Sequence, residues 1–247
     1  MEKKFGLIGK TVGHSFSKTF FDEKFFRDGL RDYRYDLYSL KEIDELKALL
    51  KANPEICGLN VTIPFKEQVI PFLHELSVDS KKIGAVNVIK VDGETLKGYN
   101  TDCDAFMETL QRWLPFGLEC QALILGTGGS SKAVKQALSK LKISFQTVSR
   151  EEGHGDFTYE ALKKSKAIEQ SNLIINTTPL GMTPDTESFP AIPYDELSTD
   201  HYVYDLIYNP ARTLFLQKSE MRGAKIKNGL EMLHLQAEKS WEIWSRK

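Results

Sequence analysis

The 247 residues suffice for one large domain or two modest ones, and 41% hydrophobic with 27% charged residues is the composition of a globular protein. A net charge of -1 gives neither nucleic acid nor an anionic membrane an electrostatic reason to bind, which leaves small molecules and other proteins as partners. The three cysteines, Cys57, Cys103 and Cys120, show no C-x-x-C spacing, which argues against a disulfide framework or a zinc site and for a reducing compartment.

The first apolar stretch stops at Lys10, too soon for the core of a signal sequence, and no run is long enough for a transmembrane helix. A cytoplasmic location is therefore expected. Phe5 to Ile8, closed by Gly9, reads as a buried strand, and Ser17 to Asp28 as a helix with an aromatic face at Phe20, Phe21, Phe25 and Phe26. Strands follow at Tyr35–Leu40 and Ile56–Val61, with a helix over Ile43–Leu50 between them and another expected over Lys66–Leu76. Ala85–Val91 and Thr95–Gly98 form a predicted hairpin around Asp92-Gly93. The helix Asp104–Trp113, broken by Pro115-Phe116-Gly117, is the expected linker. A second cycle begins with the apolar strand Ala122–Leu125, a glycine-rich turn and the helix Lys132–Leu141. Strands at Ile143–Val148, Asn172–Asn176 and Tyr202–Leu206 and a last helix, Leu230–Trp244, complete an α/β pattern.

Gly126, Gly128 and Gly129 lie between a strand and a helix, where a pyrophosphate has to approach the backbone closely and meet helix N–H groups. A tight turn without a ligand is the alternative, and the strand–turn–helix context favours a dinucleotide. At the end of the next strand, Arg150 with Ser149 suits a ribose 2′-phosphate, while Glu151 and Glu152 would repel one. The balance favours NADP over NAD, with a solvent-facing Arg150 as the alternative. Asn60 to Lys66, Gly98 to Asp102 and Gly13 to Ser17 are polar clusters at strand ends, where α/β folds keep their chemistry. Each also has a plain structural reading, as a surface lysine, a turn or a helix cap.

Taken in order, these segments resemble the shikimate dehydrogenase family from nearly one end of the chain to the other. The resemblance runs through Gly9-x-x-x-x-His14-Ser15-x-Ser17, Asn60-Val61-Thr62-x-Pro64-x-Lys66, Gly84-Ala85-Val86-Asn87 and Gly98-x-Asn100-Thr101-Asp102. It continues through Asn176-Thr177-Thr178-Pro179-x-Gly181-Met182, Tyr204-Asp205-x-x-Tyr208-Asn209-Pro210 and Asn228-Gly229-Leu230-x-Met232-Leu233-x-x-Gln236-Ala237. It implies an N-terminal α/β substrate domain and a C-terminal Rossmann-like dinucleotide-binding domain, with the active site in the cleft between them. The expected boundaries are residues 1–103, joined by a C-terminal helix at 229–247, for substrate and catalysis, and 104–228 for NADP.

The implied activity is the NADPH-dependent, reversible reduction of 3-dehydroshikimate to shikimate on the route to chorismate and the aromatic amino acids. By the same resemblance Ser15 and Ser17 hold the substrate carboxylate, and Thr62, Lys66, Asn87, Asp102 and Gln236 surround the ring hydroxyls with Asn100 and Tyr208 nearby. Thr177, Thr178, Gly181, Met182, Leu206 and Gly229 join Gly126, Gly128, Gly129, Ser149 and Arg150 on the cofactor side. Hydride arriving at a ketone leaves a developing alkoxide, which an ammonium can protonate and a carboxylate can orient, so Lys66 and Asp102 are the expected catalytic pair. Departures from the family pattern are Lys18 in place of a common proline, Cys103-Asp104-Ala105 in place of glycines, and Ser149-Arg150-Glu151 in place of Asn-Arg-Thr. An NAD-dependent quinate/shikimate dehydrogenase and a non-catalytic NADP-binding sensor are the competing expectations. No metal site is expected, and monomer and homodimer both fit the sequence.

Overall fold

The computed structural model describes residues 2–13 and 15–246, so His14 of the first motif lies outside the described residues. In chain order, β1 (Lys3–Gly9), α1 (Phe16–Arg27), β2 (Tyr33–Ser39), α2 (Glu45–Ala52), β3 (Ile56–Val61) and a single turn, α3 (Phe65–Gln68), come first. The short β4 (Glu75–Leu76), α4 (Val78–Ile83), the hairpin β5 (Val88–Asp92) and β6 (Thr95–Tyr99), and α5 (Asp102–Trp113) follow. Then come β7 (Gln121–Leu125), α6 (Gly129–Lys140), β8 (Ser144–Ser149), β9 (Phe157–Thr158), α7 (Tyr159–Leu162), α8 (Ala167–Gln170) and β10 (Leu173–Asn176). The chain closes with β11 (Tyr202–Asp205), α9 (Leu214–Glu220), β12 (Lys225–Lys227) and α10 (Leu230–Ser245). It divides into two compact units, Met1–Asp102 with His234–Lys247, and Cys103–Leu233.

The first unit is built on a sheet of order β2-β1-β3-β5-β6-β4. β1 runs parallel to β2 and β3, and β5 and β6 run antiparallel to their neighbours β3 and β5. The hairpin turns at Gly93, whose φ of +57° lies where a side chain is disfavoured, which is why glycine serves there. One core cluster packs Ile8, Leu46, Leu59, Val61, Phe65 and Ile89. The other is aromatic: Phe5, Phe21, Phe25 and Tyr35 meet Trp244 and Trp241 from the end of α10. Trp244 donates Nε1–H to the Ile89 carbonyl at 3.0 Å, and a side chain at Gly58 would collide with its ring. The phenylalanines of α1 thus serve the core, with Phe26 alone pointing outward at 90% exposure.

The helix expected over Lys66–Leu76 does not form as one element. Pro71 has no N–H to give and enters a 3-10 turn at Ile70–Phe72, after which β4 joins the sheet edge. His74 secures that path, its N–H donating to the Leu96 carbonyl and its Nδ1 accepting from the Leu96 N–H. The helix after the glycine turn starts at Gly129, three residues earlier than its apolar pattern predicts.

The second unit carries a sheet of order β12-β11-β10-β7-β8-β9, parallel at every pairing. Its core, including Leu123, Leu125, Val148, Ile174, Val203 and Phe215, explains why the central strands read as unbroken apolar runs. Two buried hydroxyls, Tyr204 and Thr109, pair at 3.0 Å and tie α5 to the sheet. No helix among the described residues is long and apolar enough to cross a membrane.

Candidate active site

In the first unit, strand direction gathers motifs that are far apart in the chain. β1 and β3 are parallel neighbours, in register at Ile8 and Val61, so the segments after Gly9 and after Val61 leave the same sheet edge. They touch there: a Cβ on Gly9 would sit 2.5 Å from Thr62 Cγ2. Because β5 runs antiparallel to β3, Asn87 immediately precedes β5 at that edge, where its carbonyl accepts the Val61 N–H at 2.9 Å. β6 reverses again and delivers Asn100, Thr101 and Asp102 to the same place.

Lys66 Nζ lies 2.6 Å from Asp102 Oδ2, with the two side chains 14% and 7% exposed. A charge pair so far from water is costly unless its remaining polar atoms are satisfied. Asn87 satisfies them: its Nδ2 donates to Asp102 Oδ1 at 2.9 Å and to Thr101 Oγ1 at 2.9 Å. The amide cannot turn over, because the Thr101 N–H, which only donates, occupies its oxygen at 2.8 Å. Thr101 Oγ1 in turn donates to the Gln236 carbonyl at 3.1 Å, which seats α10 beside the pair. Asn100 holds the preceding turn through Nδ2 to the Ala85 carbonyl at 3.0 Å.

Ser15 caps α1, its Oγ accepting the Ser17 N–H at 3.2 Å. A hydroxyl that accepts one bond keeps its proton, so capping leaves Ser15 able to donate to an anion. Ser17 is buried and its hydroxyl bonds the phenol of Tyr35, which itself donates to Asn60 Oδ1 at 2.8 Å. Complete burial holds the Tyr35 hydroxyl well above the usual phenol range. Asn60 Nδ2 reaches Ser240 Oγ at 3.0 Å, and Ser240 donates to the Gln236 carbonyl at 2.7 Å. Tyr35 and Ser240 are therefore members of the polar network that the sequence alone did not single out. No local spacing marks them, since each is joined to its partner by the sheet or by α10.

In the second unit the carboxyl ends of β8, β7, β10 and β11 line up, with Val148, Leu125, Asn176 and Asp205 in register. The next residues, Ser149, Gly126, Thr177 and Leu206, form one row at that edge. The chain winds outward from β7 to β8 and then returns to β10 on the other side, the topological position where such sheets bind nucleotides. Gly126 has φ +107°, and a Cβ there would meet Thr177 Oγ1 at 2.8 Å. Thr177 Oγ1 donates to the Leu125 carbonyl at 2.7 Å, so the turn is packed closely on its protein side. Gly128, by contrast, stands at the N-cap of α6 with no side-chain cap bond and with nothing within 4 Å of where its Cβ would be, which leaves room for a group to approach the backbone there. A diphosphate fits that geometry.

Ser149 Oγ accepts the Glu151 N–H at 3.2 Å, and Glu151 Oε2 lies 3.3 Å from His154 Nδ1. Among the described residues no ion pair joins Arg150 to Glu151 or Glu152, so the exposed guanidinium is open to a 2′-phosphate. Gly229 lies against Leu206, where any side chain would overlap the Leu206 carbonyl, and donates its N–H to the Ile207 carbonyl at 3.0 Å. Thr178 is fixed by two bonds to Asn176 Oδ1, Gly181 takes φ +96°, and Met182 is 40% exposed beside them. Behind this row Asp205 is fully buried, and burial pushes its carboxyl up to about 6 although Thr213, Ile207 and Asn176 all donate to it.

Of the residues expected to hold substrate, Ser15, Ser17, Thr62, Lys66, Asn87, Asp102 and Gln236 belong to the first unit, and Tyr208 stands in the second, three residues past Asp205. A separate cavity of about 610 Å³ opens between Phe25, Phe26, Leu30, Tyr33 and Arg34, and no candidate residue lines it. Among the described residues no three metal-ligating side chains are grouped to hold an ion.

A parallel sheet wound outward in both directions, with a glycine turn and a helix N-terminus at its carboxyl edge, joined in one chain to a unit bearing a part-buried lysine–aspartate pair, defines a protein of the dinucleotide-dependent dehydrogenase class. Residues 7–89 match the family model of the shikimate dehydrogenase substrate binding domain. The shikimate dehydrogenase (NADP(+)) of Methanococcus maripaludis is 36% identical, over 98% of this chain and 92% of its own. Shikimate dehydrogenase 1 of Peptoclostridium difficile superposes with a TM-score of 0.88 at 32% identity, covering 98% and 91% of the two chains. The shikimate 5-dehydrogenase of Thermus thermophilus, solved with NADP(H) and shikimate, gives 0.87 at 28% identity, covering 98% and 93%. The chain belongs to the shikimate dehydrogenase family.

Proposed function

We propose that this chain is an NADP-dependent shikimate dehydrogenase that interconverts 3-dehydroshikimate and shikimate. The observation that carries the proposal is the Lys66 Nζ–Asp102 Oδ2 contact of 2.6 Å, oriented by Asn87. Bound NADPH supplies the hydride that reduces the substrate ketone. Lys66 gives the carbonyl oxygen its proton as the new C–H bond forms, so that the alkoxide never stands alone, and solvent then restores the ammonium. In the reverse direction the neutral amine takes the hydroxyl proton. Asp102 orients the Lys66 amine and, with Asn87 fixing its other oxygen, accepts from a ring hydroxyl. Ser15 donates to the substrate carboxylate, Ser17 does so by turning its proton from Tyr35 to the anion, and Thr62, Gln236 and Tyr208 complete the contacts to the ring.

Gly126, Gly128 and Gly129 admit the diphosphate to the first turn of α6, and Arg150 with Ser149 takes the 2′-phosphate. Thr177, Thr178, Gly181, Met182, Leu206 and Gly229 line the nicotinamide end. Shikimate oxidation followed by absorbance, with NADP and NAD tested side by side, checks the proposal. Turnover with NADP and little with NAD is expected. A preference for NAD would move the cofactor assignment to the repulsion from Glu151 and Glu152, and no turnover with either would remove the reaction.

A further inference from the structure

Asp205 touches none of the positions assigned to substrate chemistry, yet three donors from three segments end on its carboxylate. Oδ1 accepts Asn176 Nδ2 at 3.0 Å and the Ile207 N–H at 3.1 Å, and Oδ2 accepts Thr213 Oγ1–H at 2.6 Å. The directions of these bonds are forced. The Thr178 N–H can only donate and does so to Asn176 Oδ1 at 3.0 Å, joined there by Thr178 Oγ1 at 2.7 Å. The amide nitrogen of Asn176 must therefore face Asp205, where only an acceptor can meet it. At the other end of the same loop, Gly181 lies over Thr213: a Cβ on Gly181 would stand 3.3 Å from Thr213 Cβ. Both ends of Thr177–Met182 thus rest on one carboxylate, one through Asn176 and one through Thr213. The Ile207 bond sets the backbone that follows Leu206, against which Gly229 packs. Leaving a carboxylate in this place is expensive, since burial raises its proton affinity despite the three donors.

We propose that Asp205 is the positioning residue of the cofactor loop, holding Asn176 and Thr213, and through them Thr178 and Gly181, in the geometry that binds NADP(H). This role rests on the assignment of that loop to the cofactor under the proposed function. An apolar residue of similar shape would pack there, but it would leave the Asn176 amide nitrogen and the Thr213 hydroxyl without their shared acceptor, so that the amide on which Thr178 rests is no longer anchored from behind.

The test is fluorescence titration of the full chain with NADPH, together with steady-state shikimate oxidation. Asp205→Ala is expected to raise the NADPH dissociation constant and the KM for NADP roughly tenfold, the effect of losing one or two oriented hydrogen bonds. The KM for shikimate, and kcat at saturating NADP, stay within about twofold, because neither Lys66 nor Asp102 is disturbed. Asp205→Asn keeps an acceptor toward Asn176 and Ile207 and restores most of the affinity. Thr213→Val removes the bond to Asp205 on the Gly181 side, together with the α9 cap to the Leu216 N–H, and is expected to weaken binding about threefold; it decides the matter if Asp205→Ala does not fold. Unchanged NADPH affinity in the folded variants would overturn the inference, as would equal losses in both KM values. A wild-type chain that binds no NADPH would fail earlier, removing the cofactor assignment and this role with it.

Discussion

The Asn87 amide spans two partners, giving its nitrogen to Asp102 Oδ1 at 2.9 Å and taking the Thr101 N–H on its oxygen at 2.8 Å. The carboxylate that faces Lys66 is therefore aimed from behind by a group that cannot turn round. Replacing Asn87 with leucine leaves the Thr101 N–H and one carboxylate oxygen unpaired in a buried place. The expected cost is about 1–3 kcal/mol of stability, read from urea unfolding, with a fall in shikimate turnover. An Asn87→Leu enzyme as stable and active as the wild type would show that Asp102 needs no such support.

Lys66→Ala is expected to lower kcat by roughly 10²–10⁴ while the KM for shikimate changes far less, the pattern of a group that acts in the transition state. Undiminished turnover would take Lys66 out of the mechanism.

Arg150→Ala is expected to raise the KM for NADP by about tenfold or more and to leave the KM for NAD nearly unchanged, because only NADP has a phosphate for the guanidinium to meet. Equal effects on both cofactors would place Arg150 on the shared diphosphate instead.

The Asp205 carboxyl titrates in the folded chain at about 6 rather than its ordinary 3.8. Between these values the folded chain keeps a proton that the unfolded chain has lost. The stability this group contributes is present below the unfolded value and is lost as pH rises through the folded one. Compared with wild type, Asp205→Asn should therefore gain stability on the order of 3 kcal/mol between about pH 4 and pH 7, measured by urea unfolding at each pH. A difference that stays constant across that range would show that Asp205 has no raised pKa.

Much of the fold was legible because apolar runs and glycine punctuation mark central strands directly: Phe5–Ile8, Ala122–Leu125 and the Gly93 turn stand close to where those patterns put them. The segment from Lys66 to Leu76 was not, because its apolar spacing suits a helix while Pro71 and the His74–Leu96 bonds draw it to a sheet edge. The short elements β9, α7, α8, α9 and β12 carry too few residues to show a period. On the site, individual motifs could be located, but what orients them could not. Tyr35 reaches Asn60 across 25 positions and Asn60 reaches Ser240 across 180, distances at which only strand pairing or helix packing makes a contact.

Trp244→Ala is expected to cost about 3–5 kcal/mol, since the ring contacts Phe5 and Phe21 with centroids 5.0 and 5.4 Å away and its Nε1–H bond to the Ile89 carbonyl is lost with it. A small change in the urea midpoint would mean that the aromatic cluster closes over the gap.

The part played by Trp241 and Trp244 also bears on the order in which the protein takes shape during synthesis. Domains emerging from a ribosome ordinarily fold from the N-terminus onward. Here the aromatic face of Phe5, Phe21, Phe25 and Tyr33 waits for indole rings encoded after the whole of Cys103–Leu233. The unit begun first is thus the unit finished last. While translation passes through the middle of the chain, that face stays uncovered and open to chaperones, and the nucleotide-binding half can complete its own core before its partner is able to.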